Sequence, residues 1–333
     1  MTTILWLASA LLLVLFSAHL FTNGVEWLGK RLGVSHGVIG SLLAGIGTAL
    51  PETTIPIIAI LFGGGNAAHR DVGVGAILGA PFMLAALTLP LAGAAVLVLA
   101  ALRRRDGRLR VNPTLAKLDL GYFIIAYGLA IACALTPHAL VRYAVAGALV
   151  ALYGHYVWRL NRLDRQQPVD EILLAPLIFS PRNPRPSLAP ILGQVAGGLA
   201  GIIAGASLFV DAVTTAATTL AVPPLLLSLL ITPIATELPE KFNSLIWIAQ
   251  RKDHLAVANI TGAMVFQATF PVAVGLLGTD WQLDWHGWVT GVGALLAAVG
   301  YWALLALNQQ WRPWQLALGA ALYVGFAALV LWP

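Results

Sequence analysis

Two carboxylates stand where carboxylates are expensive. Glu52 and Glu240 each follow a proline, Pro51 and Pro239, in the middle of long apolar stretches, where an ionised carboxylate costs roughly 2.5–3.5 kcal/mol on insertion scales. That cost calls for a compensating cation. A proline inside a helix removes a backbone donor and clashes with the turn before it, which frees carbonyls at Gly47 or Thr48 and at Ala235 or Thr236. Freed carbonyls, the hydroxyls of Thr48 and Thr236 and a carboxylate are hard oxygen ligands, suited to Ca2+, Mg2+, Mn2+ or Na+ and not to zinc or copper. Each element alone has a bland explanation, since proline kinks are common in membrane helices and a buried Glu can simply hydrogen-bond a neighbour. The same elements occurring twice point to one site.

The helices that position these residues follow from composition. The 333-residue chain is 59% hydrophobic and 10% charged, with a mean hydropathy of +0.84, too apolar for a soluble domain. Apolar runs of about 18 residues or more, long enough to cross the hydrocarbon as helices, recur from end to end. They lack the period-two alternation of a barrel strand. The expected fold is an all-α integral membrane protein of about ten transmembrane helices, near residues 3–29, 35–63, 71–103, 117–135, 139–161, 189–219, 223–249, 254–276, 286–308 and 313–332. The first run lacks a basic segment before it and continues past Ala18, so it reads as a retained helix. A single cysteine, Cys133, excludes an intrachain disulfide and a thiolate cluster.

The net charge of +5 does not point to nucleic acid. Apart from Arg70 and Arg142 in the opposite gaps and Lys241 within a helix, its basic residues fall in alternate gaps between helices: Lys30 with Arg31, Arg103 to Arg110 with Lys117, Arg159 to Arg185, Arg251 with Lys252, and Arg312. Those gaps read as cytoplasmic, which places both termini outside, in a multi-pass protein of a prokaryotic-type inner membrane. Arg103, Arg104 and Arg105 read as a topogenic anchor, and Trp281, Trp285, Trp288, Trp311 and Trp314 as interfacial belts.

Sliding the chain on itself so that Glu52 falls on Glu240 aligns His19–Glu52 with Ser207–Glu240 without a gap; Thr48, Leu50, Pro51 and Glu52 meet identical residues. The polar stretch between the copies then divides a first five-helix repeat, 1–161, from a second, 189–333, with a cytoplasmic linker at 162–188. Five helices per half is odd, so the second copy enters the membrane from the other side. Inverted repeats recur in secondary transporters, with substrate held near the midplane where the copies meet. A small-residue stretch follows each proline motif, Gly73 to Pro81 and Ala256 to Ala263. Helix packing explains its glycines, but not Gln267, an amide in an otherwise apolar run.

These residues resemble the signature repeats of the calcium/cation antiporter superfamily, which contains the sodium/calcium exchangers and the proton-coupled cation exchangers. Each family repeat reads approximately Gly-Thr-Ser-Leu-Pro-Glu, then Gly-Asn-x-x-Gly-Ser-Asn-x-x-Asn/Asp. Here the first motif is Gly47-Thr48-Ala49-Leu50-Pro51-Glu52 and Ala235-Thr236-Glu237-Leu238-Pro239-Glu240, and the second spans Gly75 to Leu84 and Ala258 to Gln267. The resemblance implies alternating access around a central cation site. Glu52 and Glu240 would be its carboxylates, Thr48 and Thr236 would lend oxygens, and Glu237 and Gln267 would complete the candidate metal set. It also implies a divalent cargo such as Ca2+, Na+ or H+ as counter-ion, no cofactor, and inorganic cations and the lipid bilayer as partners, with no nucleic acid.

The departures bear on the counter-ion. Ala49, Ala80 and Ala263 replace serines of the family pattern, Leu84 replaces its Asn or Asp, and Gln267 replaces an acid. Several Na+-ligating oxygens are therefore missing, which favours H+ coupling. Glu237 and Lys241 stand at i and i+4 in the favourable orientation for an internal ion pair; the alternative is that Lys241 snorkels to the interface. With the pair formed, a charge of about −2 on Glu52 and Glu240 would balance one divalent cation or two protons. Other readings are a Na+-coupled Ca2+ exchanger, a Na+/H+ exchanger of the same fold, and a member that has lost transport. From other classes, a passive cation channel and an intramembrane enzyme compete. Nucleophile motifs, His-rich metal sets and phosphate-cradling loops are not found in the sequence. Asn23 and Asp211, equivalent in the repeat, read as helix-pairing residues.

Overall fold

The computed structural model describes residues 2–32, 50–164 and 174–331. The regular elements among them are all helical: α1 (Thr2–Arg31), α2 (Leu50–Leu61), α3 (Ala67–Met83), a π-helical turn (Leu84–Thr88), α4 (Leu89–Ala101), α5 (Pro113–Cys133), α6 (Ala139–Asp164), α7 (Leu188–Leu220), α8 (Pro224–Ala249), α9 (Asp253–Gln267), α10 (Phe270–Gly278), α11 (Trp285–Asn308), a 3-10 turn (Pro313–Leu316) and α12 (Ala317–Leu331). Taking α3 with α4 and α9 with α10 as single runs, seven described helices are long and apolar enough to cross a membrane. Shorter apolar helices lie at Glu52–Leu61, Pro224–Pro233 and Pro313–Leu329. Of the expected helix at 35–63, residues 35–49 lie outside the described residues.

The expected helices at 71–103 and 254–276 are each interrupted. In the first, Pro90 has no N–H to offer the Ala86 carbonyl and its ring crowds that turn. The chain widens into a π turn, and the Leu89 N–H reaches back five residues to the Leu84 carbonyl. Tyr301 Oη donates to the neighbouring Ala85 carbonyl at 3.0 Å. In the second, Pro271 withholds the N–H that would close on Gln267, so α9 ends there and α10 starts at Phe270. The Thr269 hydroxyl lies 2.9 Å from both the Val265 and Phe266 carbonyls. Leu84 and Gln267 hold the same place in the two small-residue motifs, so each half breaks its helix at the same point by a different device. Interruptions of this kind are frequent at functional sites.

The first helices of the two halves, α1 and α7, pack antiparallel. Gly205 meets Val14, Gly201 meets Ser17, Gly198 meets the Phe21 backbone and Gly24 meets Val195. Opposite direction for these two helices is what an inverted repeat requires. Asn23 and Gln194 join them, with the Gln194 amide donating to Asn23 Oδ1 and to the Leu20 carbonyl at 2.9 Å each. The chain at 175–179 is tied to the same pair: Trp27 Nε1 donates to the Ala175 carbonyl, and the Phe179 N–H donates to Gln194 Oε1.

Helices α2 and α8 occupy the interior. They touch each other, and both touch α1, α3 and α7. Ile55, Ile58 and Ala59 of α2 pack with Ala10, Phe209, Val213 and Leu227. Along α3, Gly75 and Gly79 let α8 approach closely: a Cβ at Gly79 would stand 2.5 Å from the Leu229 carbonyl oxygen and 2.8 Å from Pro233. Gly79→Ala is therefore expected to cost about 1–3 kcal/mol through overpacking and to lower the thermal unfolding midpoint in detergent. An unchanged midpoint would contradict this contact.

Two of the tryptophans assigned to interfacial belts are internal. Trp281 and Trp311 are each 2% exposed, and their indole N–H groups donate at 2.9 Å to the Ala130 and Tyr301 carbonyls. A tryptophan whose N–H finds a partner is free to be buried. Trp285 and Trp314, 66% and 60% exposed, face outward as an interfacial residue would.

Candidate cation site

Helix α8 carries a hydroxyl at nearly every fourth residue. Ser228, Thr232, Thr236 and Ser244 are all buried, and the backbone of Glu240 occupies the remaining position, one turn from both Thr236 and Ser244. Residues four apart lie one above another on a helix face. The stripe is anchored at one end, where Ser228 Oγ donates to the Val72 carbonyl at 2.6 Å and lies 2.9 Å from Thr232 Oγ1. Thr236 Oγ1 donates to the Thr232 carbonyl at 3.0 Å, so its lone pairs remain available to a cation. At the other end, Asn259 Nδ2 of α9 donates to Ser244 Oγ at 3.3 Å.

The helix runs without interruption through Pro233 and Pro239. Neither proline supplies an N–H to the carbonyl four residues before it, Leu229 and Ala235 respectively. Glu52 lies in the first described turn of α2, 5% exposed, beside buried Thr53 and Thr54. Gln267 is buried at the break between α9 and α10. Thr48 lies outside the described residues. Glu237, Glu240 and Lys241 are placed on α8 by their backbone, and their side chains lie outside what is described. The fold thus brings together the helices that carry Glu52 and Glu240, with α9 packed on α8.

The donors on these helices are carboxyl, hydroxyl and amide oxygens, the set that hard cations prefer. Among the described residues no group of three or more His, Cys, Asp or Glu comes together. A bound ion would draw on mixed oxygens from several helices.

At the ends of α8 and α9 lies an ion pair that sequence reasoning missed. Arg105, one of the three arginines assigned to a membrane anchor, is buried. Its Nη1 and Nη2 donate to Asp253 Oδ1 and Oδ2 at 2.7 and 2.6 Å, with side-chain exposures of 1% and 0%. The same guanidinium donates to the Ile248 and Arg108 carbonyls at 2.7 Å each. The Arg110 N–H gives Asp253 a third donor at 2.9 Å. The hydrogen bond to Asp253 raises the Arg105 guanidinium above its ordinary value, with burial opposing it. This clamp joins the α4–α5 loop to the turn between α8 and α9. Also missed were the hydroxyl stripe, legible as Ser or Thr at every fourth position, and Asp119, legible as an acid inside an apolar run.

The sodium/calcium exchanger protein family model matches residues 2–160 and 191–332. The fold is similar to the crystal structure of the H+/Ca2+ exchanger CAX, with 16% identity, a TM-score of 0.75, and coverage of 99% of this chain and 82% of that one. It is also similar to the sodium-calcium exchanger NCX_Mj soaked with 2.5 mM Na+ and 10 mM Sr2+, with 21% identity, a TM-score of 0.59, and coverage of 100% of this chain and 99% of that one. NCX_Mj soaked with 10 mM Na+ and zero Ca2+ gives 21% identity and a TM-score of 0.57, covering 99% of each chain. No curated protein matches the chain. At these identities the structural likenesses establish the fold, while the family model covers most of the sequence. The chain is a multi-pass integral membrane protein that belongs to the sodium/calcium exchanger protein family.

Proposed function

We propose that the chain is a secondary active antiporter that exchanges Ca2+ or a related divalent cation for H+, by alternating access at a site between α2 and α8. The observation that carries this reading is the pairing of two contacting inner helices, one bearing buried Glu52 and the other a hydroxyl stripe in register with Glu240. The solved structures compared above are of two exchangers, an H+/Ca2+ exchanger and a sodium-calcium exchanger. H+ is favoured as counter-ion because Ala49, Ala80, Ala263 and Leu84 stand where the family pattern has polar ligands. Protons can compete with a divalent cation for the same carboxylate oxygens, which is itself an exchange mechanism. Both termini lie outside in this reading, following the distribution of Lys and Arg.

Calorimetric titration of the purified protein with Ca2+ tests the site without requiring transport. Saturable binding that weakens as pH falls is expected; binding independent of pH would remove proton competition. Lys241 adds a second test. If its charge offsets Glu237 one turn away, Lys241→Met leaves an extra negative charge near the site. Half-maximal inhibition of uptake by protons then moves to higher pH by about one unit. An unchanged pH profile would show that Lys241 does not take part.

A further inference from the structure

Asp119 is a carboxylate within the bundle that the cation site does not use. It lies in the second turn of α5 and is 1% exposed. Its Oδ1 accepts from Tyr156 Oη of α6 at 3.0 Å, and its Oδ2 from Thr261 Oγ1 of α9 at 2.6 Å. No ion pair with Asp119 is found among the described residues. The titratable groups around it are Tyr156 and Tyr153 of α6 and Tyr122 of its own helix, with His155 of α6 bonded to Tyr122 at 2.6 Å. Lys117 lies half a turn before it. On α9 the titratable groups are His254 and the clamped Asp253 at the helix start, and on α11 His286 at the helix start and Tyr301.

The Thr261 hydroxyl has one hydrogen and two acceptors in reach, Asp119 Oδ2 and the Val257 carbonyl of its own helix at 3.0 Å. With Asp119 ionised, Thr261 gives its hydrogen to Oδ2. When a proton arrives on Oδ2, the new O–H donates to Thr261 Oγ1, and Thr261 turns its own hydrogen to Val257. One proton is taken up, one hydrogen bond reverses, and no buried polar group is left without a partner in either state, as burial requires.

Thr261 stands two residues from Asn259, which reaches Ser244 on α8, and six residues before Gln267 at the helix break. Gly262, next in sequence, lies against the Tyr156 hydroxyl. Helix α9 is therefore held on one flank by Asp119 and meets the hydroxyl stripe with another. We propose that Asp119 is a positioning residue that binds a proton away from the cation site and thereby sets how α9 is held against α8. The proposal rests on the reading of the chain as a cation antiporter.

Asp119→Asn, which keeps the shape but does not titrate, is compared with wild type in proteoliposomes. Initial rates of Ca2+ uptake are measured as a function of pH, together with the Ca2+ half-saturation. The expected result is a pH profile flattened by about threefold or more between roughly pH 5 and 8, with half-saturation within about twofold of wild type. Thr261→Val is expected to reproduce the flattening, and Thr261→Ser to restore the wild-type profile; this pair carries the test should Asp119→Asn fail to fold. In pH-difference infrared spectra, a protonated-carboxyl C=O band present in wild type is expected to vanish in Asp119→Asn. A wild-type pH profile in Asp119→Asn or in Thr261→Val, or an unchanged carboxyl band, would overturn the proposal. Uptake driven by a Na+ gradient and not by a pH gradient would instead overturn proton-coupled exchange, while leaving an altered Asp119→Asn pH profile as evidence for the positioning role.

Discussion

Glu52→Gln and Glu240→Gln are each expected to abolish divalent uptake, lowering it by about a hundredfold or more. Glutamine keeps the size and one carbonyl oxygen of glutamate but carries no charge. Removing one partner from a desolvated charge pair costs roughly 2–5 kcal/mol, and each 1.4 kcal/mol is tenfold in affinity. The loss should be as large at Glu240 as at Glu52, because the two occupy equivalent repeat positions on helices that touch. Equal expression and equal thermal midpoints are expected of both variants, so the loss can be assigned to the site. Retained uptake in either variant would remove that carboxylate from the ion's coordination.

Arg105→Ala and Asp253→Asn are each expected to destabilise the protein by about 3–5 kcal/mol, since either leaves a buried group facing a missing partner. The effect should be large because the pair is bidentate, nearly unexposed, and tied to the Ile248, Arg108 and Arg110 backbones as well. A double replacement by apolar residues of similar volume is expected to recover part of the loss, because desolvating two charges offsets much of what their attraction contributes. The Arg105 guanidinium is raised in the folded state by Asp253. Its contribution is therefore fully present below its unfolded pKa and is lost only as pH rises through the folded one, far above neutrality. The arginine side of the clamp should thus be insensitive to pH near neutrality. Thermal unfolding in detergent, followed by size-exclusion recovery, measures the shift; a midpoint unchanged in both single variants would contradict the clamp.

Much of the fold was legible because a bilayer leaves helices little freedom in length: α1, α5, α7, α8 and α11 lie where hydropathy alone put them. What was not legible came from tertiary hydrogen bonds. A proline in an apolar run says that a helix is disturbed, but Pro90 yields a π turn, Pro271 a full break and Pro239 an unbroken helix. Near the first two, the hydroxyls of Tyr301 and Thr269 bond carbonyls of the disturbed turns, Ala85 and Val265. Arg105 looked like its neighbours Arg103 and Arg104, because nothing local marks the one that reaches across to Asp253. Trp281 and Trp311 are likewise internal only because carbonyls of Ala130 and Tyr301 accept their N–H groups. For the site, residue types and repeat position singled out Glu52, Thr236 and Gln267, and all three are buried on α2, α8 and α9. The rest of the stripe, Ser228, Thr232 and Ser244, lies outside the Ala235–Glu240 motif and is marked only by its four-residue spacing on the helix face.

The measurement that bears most directly on divalent/proton exchange is uptake of radiolabelled Ca2+ into proteoliposomes under an imposed pH gradient and, separately, under an imposed Na+ gradient, with Glu52→Gln and Glu240→Gln as controls. Uptake driven by the pH gradient and lost in both controls is the predicted result. Uptake driven by the Na+ gradient alone, or surviving in the controls, would contradict it.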